Sequence, residues 1–143
     1  MAQNIGTFDF KKLNIIFGGA QISGFADGDS LSVKEENNAF NSASGADGYI
    51  DRVKNNANFL TITIKLRQTS PTNQVLSALH AVDRSQSTPL PLLIKDRLGT
   101  TLISTAQAWI TKFPDSAFGN EAKEREWTIQ TSSVYIMNIG GNN

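Results

Sequence analysis

The run Asn58–Gln68 alternates without interruption. Leu60, Ile62, Ile64 and Leu66 fall on one side, and Phe59, Thr61, Thr63, Lys65 and Arg67 on the other. Successive side chains leave a strand on opposite faces, so period-two alternation rich in β-branched residues specifies a half-buried antiparallel strand. A chain organised around it needs a sheet with one polar face and one buried face.

The neighbouring stretches supply the rest of that frame. Gly48–Lys54 reads as a second strand, joined to the first as a hairpin by the turn-prone run Asn55-Asn56-Ala57-Asn58. Ser70 suits a helix N-cap, and Pro71 suits the first helical position, where a missing N–H costs nothing. Val75, Leu76, Leu79 and Val82 then recur at helical spacing, predicting an amphipathic helix over 71–83.

Upstream, Phe8–Phe17 reads as a strand, Gly18-Gly19 as a turn, Ala20–Phe25 as its returning partner and Leu31–Glu35 as a short third strand. Asn37–Asp47 holds Asn, Ser, Ala and Gly with one large apolar residue, Phe40. Two readings stand, a long loop or an extended hairpin arm. Downstream, Arg84–Pro91 is a connection. Leu92–Lys95 and Thr100–Ser104 flank the turn Asp96-Arg97-Leu98-Gly99. Ala106–Lys112 is a further strand, Phe113–Glu124 a loop, Trp127–Ile136 the last strand and residues 140–143 a frayed tail. About eight or nine strands and one helix predict a mainly β fold, a β-sandwich or partly open barrel with one flanking α-helix. With 143 residues and no internal repeat, the chain reads as a single domain, 1–143.

Charge and composition narrow the function. Thirteen basic and thirteen acidic residues give a formal net charge of zero, which argues against a general nucleic-acid binder and removes one barrier to self-association. There is no cysteine, so neither a disulfide nor a thiolate metal site can form. The start, Met1-Ala2-Gln3-Asn4, has no basic region followed by an apolar run, and no stretch nears the ~20 apolar residues a membrane helix needs. The expectation is a soluble protein made in a cytoplasm, with no membrane segment.

Catalytic constellations are lacking. The single histidine, His80, falls in the helix and reads as a structural residue at the edge of the core. No nucleophile elbow, phosphate-binding loop or dinucleotide fingerprint is present. Asp27-Gly28-Asp29 lacks the ligand spacing of a calcium loop and reads as a polar turn. Glu35-Glu36 and Glu124 with Glu126 read as solvated or interfacial charges. The expectation is no enzyme, cofactor or metal. Phe40 and Tyr49 sit in or beside the polar, glycine-bearing segment. Either they anchor it to the domain or they bury against a neighbouring subunit, as aromatics among adaptable Ser and Asn do at interfaces.

Several runs carry a family resemblance. They are Ile22-Ser23-Gly24-Phe25-Ala26-Asp27-Gly28, Ser32-Val33-Lys34-Glu35, Gly45-Ala46-Asp47-Gly48, Thr61-Ile62-Thr63-Ile64 and Gln68–Ser77, followed by Pro91–Asp96 and Arg125–Ile129. In this order, over nearly the whole chain, the sequence resembles tail tube proteins of contractile-tailed bacteriophages, the myovirus type. Gly45–Gly48 and Gln68–Pro71 are the most specific runs. The resemblance implies hexameric rings whose sheets join into an inner barrel, stacked into a conduit through which double-stranded DNA passes unbound during genome ejection. It implies the tail sheath, baseplate and tail terminator proteins as partners, and the virion as location. It also implies that the Asn37–Gly48 segment is an inter-ring or inter-subunit arm, with Phe40, Asn41, Ser42, Asp47 and Tyr49 as contact residues. The Asn55–Asn58 turn lacks the charges expected of the family and carries no assigned contact.

Other assignments use the same fold differently: a baseplate, adaptor or terminator ring, or the tube of a type VI secretion-like system. A carbohydrate-binding sandwich would need exposed aromatics, whereas Trp109 and Trp127 sit in apolar strand contexts. If the polar face of the central strand lines a lumen, Thr61, Thr63, Lys65 and Arg67 face it. A conduit that must release phosphate needs its bases offset. Asp51 or Glu35 are the expected partners, or ion pairs across a subunit boundary, giving a neutral or negative wall.

Overall fold

The computed structural model describes residues 9–97 and 99–140. Phe8 at the predicted first strand, Leu98 in the predicted turn and residues 141–143 of the predicted tail lie outside that range. A short 3-10 helix at Phe10–Lys12 precedes ten strands and one helix. The strands are β1 (Leu13–Phe17), β2 (Ala20–Gln21), β3 (Leu31–Glu35), β4 (Phe40–Ser44), β5 (Ile50–Lys54) and β6 (Leu60–Arg67). After α1 (Thr72–Gln86) come β7 (Leu90–Asp96), β8 (Leu102–Ile110), β9 (Glu124–Thr131) and β10 (Ile136–Asn138). The fold is mainly β with one helix, as the sequence predicts.

Eight strands form one sheet in the order β2-β1-β7-β8-β9-β6-β3, with β10 also paired to β8, while β4 and β5 form a separate two-stranded sheet. β6 lies between β3 and β9, antiparallel to both. Its four alternating apolar side chains are fully buried. Each such burial is worth roughly 1.5–3 kcal/mol, so β6 anchors the core. Facing it are Ile15 and Phe17 of β1, Leu92 and Ile94 of β7, Ile103 and Ile110 of β8, and Trp127 and Ile129 of β9.

A single segment spans the two ends of this curled sheet. The Ile22 N–H donates to the Ile15 carbonyl on β1, and two residues further along the Arg67 N–H of β6 donates to the Gly24 carbonyl. Gly24 makes the corner at φ +76°, and a Cβ there would stand 2.3 Å from Ser70 Oγ. Only glycine fits both the backbone and the space. Ser70 Oγ donates to the Ser23 carbonyl at 2.7 Å and accepts from the Thr72 N–H at 3.3 Å. The helix starts at Thr72 with Pro71, already in helical conformation, at its N-cap position, one residue later than predicted, while Ser70 still takes up the Thr72 N–H. Two of the runs that carry the family resemblance, Ile22–Gly28 and Gln68–Ser77, meet at this one junction.

Several predicted boundaries change. The first strand starts at Leu13, because Asp9 Oδ1 accepts from the Lys11 N–H and caps the 3-10 turn. The returning strand is only Ala20–Gln21, since the chain leaves β1 for β6 at the corner. Helix α1 runs three residues beyond the expected end, stopping at a left-handed Ser87 (φ 53°). Its buried face is Thr72, Leu76 and His80, with Leu79 half-buried, while Val75 and Val82 are exposed. Thr100–Ser104 and Ala106–Lys112 are one strand, β8. It takes β10 as second neighbour near its start and β9 near its end, with a register shift against β7 between them. The last predicted strand breaks at Ser132-Ser133 into β9 and β10. Trp127 is core, but Trp109 is only half-buried, on the face it shares with Gln130.

Candidate assembly surfaces

The largest departure concerns Gly48–Lys54. It does not form a hairpin with the central strand. β5 pairs instead with β4, Phe40 opposite Lys54 and Ser44 opposite Ile50. The physical reason lies in the two connections. Between β4 and β5, the Gly45 N–H donates to the Tyr49 carbonyl at 2.8 Å, the Gly48 N–H donates to the Gly45 carbonyl, and Gly48 takes φ +88°. This is a tight reversal that needs a glycine. Between β5 and β6, the asparagines do not turn the chain back. Asn58 Oδ1 accepts from the Asn37 N–H at 3.0 Å and the Asn37 amide donates to the Ala57 carbonyl at 2.7 Å. They clamp the base of a hairpin that leaves the body. Asn37–Asp47 is thus half of an extended arm rather than a loop.

All ten residues of β4 and β5 are exposed. Phe40, Ser42 and Ser44 share one face with Lys54, Arg52 and Ile50, and the Arg52 guanidinium lies 4.2 Å from the Phe40 ring centroid. Asn41 and Ala43 share the other face with Val53 and Asp51. At the tip, Asp47 Oδ1 accepts weakly from the Tyr49 N–H at 3.4 Å, and Tyr49 is 77% exposed. The arm brings Phe40, Asn41, Ser42, Asp47 and Tyr49 onto one projecting element.

The second surface is the polar face of β6 and its neighbours. Thr61, Thr63 and Lys65 are half-buried and Arg67 is exposed. On β9, Gln130, Thr128, Glu126 and Glu124 stand opposite them in that order. On β3, Lys34 and Ser32 stand opposite Thr61 and Thr63. Lys34 Nζ lies 4.0 Å from Glu36. The bases Lys34, Lys65 and Arg67 therefore face the acids Glu36, Glu124 and Glu126, three against three. The acids named from sequence are elsewhere. Asp51 is on the arm opposite Ala43, and Glu35 stands opposite Leu60, held by the Asn58 amide. Register across strands separated by some sixty positions selects the true neighbours, and no local pattern reports it.

Two groups on the far side of the core were missed or only partly read. Arg125 is buried among the inward residues of β9, with Trp127, Ile129 and Thr131. The alternation Arg125-Trp127-Ile129 carries that signal, since it puts the arginine on the apolar side. His80 is buried against Phe113, ring centroids 4.7 Å apart, and its Nδ1 has no hydrogen-bond partner among the described residues. Burial first, and then the Arg84 charge, lower its pKa below the usual histidine value, opposed by Asp83. This is the structural histidine expected. Among the described residues no group of His, Asp and Glu is placed to hold a metal ion.

The family model described as the bacteriophage PhiTE tail tube protein matches residues 15–139. This chain belongs to that tail tube family. A curated relative, "Structural protein ORF10" of Pseudomonas phage KPP10, is 33% identical over 124 residues, covering 85% of this chain and 71% of the relative. Solved structures share the fold at low identity. One, from the virion of a native gene transfer agent particle, has a TM-score of 0.64 at 12% identity, covering 96% of this chain and 100% of the other. Another, from the sheath/tube terminator of an extracellular contractile injection system, has a TM-score of 0.64 at 13% identity, covering 93% and 97%. The cap of the anti-feeding prophage, a tube-terminating cap, gives 0.61 at 13%, covering 96% and 95%. The tail tube family is structural and not an enzyme family, and this member is a phage tail structural protein.

Proposed function

We propose that this protein is the repeating subunit of the tail tube of a contractile-tailed phage. Six copies form a ring, and rings stack into the conduit for double-stranded DNA in the virion, inside a sheath and between baseplate and terminator proteins. The observation that carries this is the family match over residues 15–139, almost the full length of the chain. The exposed arm supports it, because a two-stranded hairpin with Phe40, Tyr49, Ile50 and Val53 in water gains stability by burial against another chain. The polar face of β6 supports a lumen wall in which Thr61 and Thr63 are neutral and Lys65 and Arg67 are offset by Glu126 and Glu124 of the same subunit. Such a wall holds phosphate weakly, since no run of bases stands without acids opposite.

Electron microscopy of the purified protein tests the assembly. Hexameric rings or tubes are expected, and a strictly monomeric species at high concentration across several salt conditions overturns the reading. A second reading, a terminator or cap ring, is favoured by one observation: two of the similar structures are terminating components. Discrete single rings that never elongate decide for it.

A further inference from the structure

Behind the core, a cleft of about 440 Å³ opens between α1, β9 and the loop after β8, with Phe113, Pro114, Phe118, Asn73, Trp127 and Arg125 on its walls. Its walls are set. Asn73 accepts from Trp127 Nε1 at 2.9 Å and donates to the Arg67 and Gln68 carbonyls, which fixes the α1 side to the sheet. Arg125 is only 6% exposed. Its guanidinium donates to the Glu124 and Ala117 carbonyls, both at 3.2 Å, and lies 5.0 Å from the Phe118 ring centroid. No carboxylate among the described residues is within 4.0 Å of it. A buried guanidinium held by neutral carbonyls alone has its hydrogen bonds but no counter-charge, and its fork geometry matches a carboxylate. Phe118, 80% exposed, stands beside it as an uncovered aromatic.

The same chain carries a complementary shape. The arm tip presents a carboxylate, Asp47, beside Tyr49 and Ile50, which are 77% and 71% exposed. Five-residue strands project that tip by about 17 Å. β4 and β5 pair with each other and with no strand of the main sheet. We propose that the Arg125 cleft is the receptor for the arm tip of a second copy of this chain. Asp47 pairs with the Arg125 guanidinium, and Tyr49 packs against Phe118 and Phe113. The contact rests on the self-assembly proposed above and gives it a defined socket. The charge match, the exposed aromatics on both sides and a net charge of zero all favour a like partner.

The test uses the full chain, whose lack of cysteine makes paired probes clean. Ala46→Cys at the arm tip and Ser116→Cys on the cleft wall each alter an exposed side chain that the contact does not use. In assemblies of the double variant, mild oxidation is expected to give a ladder of covalent dimers, trimers and larger species, with none from either single variant. Asp47→Lys is expected to raise the concentration needed for assembly at least about tenfold. Rings or tubes that form normally but do not link overturn the contact and leave the tube function standing. Linking by Ala46→Cys alone means that arm tips meet each other, which also overturns it. An unchanged assembly concentration for Asp47→Lys overturns the Asp47–Arg125 pairing. Unaltered protein that stays monomeric overturns the tube function and the contact together.

Discussion

β6 and the β4–β5 arm are both built of strand residues, yet they stand in opposite physical situations. β6 has a neighbour on each side, and its apolar side chains are 0% exposed. The arm strands have only each other, and every residue on them is exposed. In β6 the hydrophobic term is complete within one chain. In the arm, Phe40, Tyr49, Ile50 and Val53 keep their apolar surface in water, where an isolated two-stranded hairpin is marginal. Alternation thus decides that a segment is a strand, but not whether its own chain covers it. A body that completes itself and an arm that does not are what the assembling subunit proposed above requires.

Substitutions in the body are expected to break the fold. Ile62→Ala removes a fully buried side chain from the central strand and leaves a cavity between neighbours on both flanks. A loss of about 2–5 kcal/mol in denaturant unfolding is expected. A loss below 1 kcal/mol means β6 is not the anchor. Gly24→Ala acts at the corner. There the new methyl meets Ser70 Oγ and the residue is held at positive φ, so about 1–3 kcal/mol is expected on strain alone. The chemical unfolding midpoint checks it, and an unchanged midpoint means the corner can relax.

The arm is expected to respond in the reverse sense. Tyr49→Ser should leave the unfolding free energy within about 0.5 kcal/mol, because the side chain is exposed in the single subunit. Assembly should weaken by at least about tenfold, close to 1.4 kcal/mol, as for a buried aromatic anchor. Light scattering against concentration reads the second effect. If Tyr49→Ser destabilises the monomer and leaves assembly unchanged, the contrast between body and arm is drawn in the wrong place.

How much of this was legible in the sequence follows from where the information sits. The faces of β6 and the start of the helix beside Ser70-Pro71 are set by residues within a few positions of each other, and both are legible to within a residue. The partner of β5 is not local. Asn55–Asn58 looks like a turn, but Asn58 bonds back to Asn37, twenty-one positions earlier, and the reversal falls at Gly45–Gly48. The acids opposite Lys65 and Arg67 are hidden from the sequence for the same reason, since Lys65 meets Glu126 only through the β6–β9 register. That Asn37–Asp47 stands outside the core is legible locally, because a polar run with one large apolar residue cannot build a core of its own. Arg125 was readable from the period-two pattern of β9, but a buried arginine gains meaning only beside a cleft.

The smallest effect separates body from arm by pH. His80 lies in the body, buried against Phe113 near Arg84, Asp83 and Lys112, and its Nδ1 has no hydrogen-bond partner among the described residues. Burial, and then Arg84, hold its pKa below the 6.5 of the open chain. Below about 6.5 the unfolded chain takes up the proton that the folded chain refuses, so unfolding is favoured as pH falls. The contribution is fully present above that value and is lost progressively down to the lowered folded pKa. Thermal unfolding of the unaltered chain and of His80→Gln, measured from pH 8 to pH 5, should show a constant offset above 6.5 and a changing one below it. The unaltered chain should fall more steeply, because glutamine has no proton to take up on unfolding. Curves that stay parallel down to pH 5 mean that the imidazole is hydrated in the folded subunit, and the body is then less closed beneath α1 than its packing indicates.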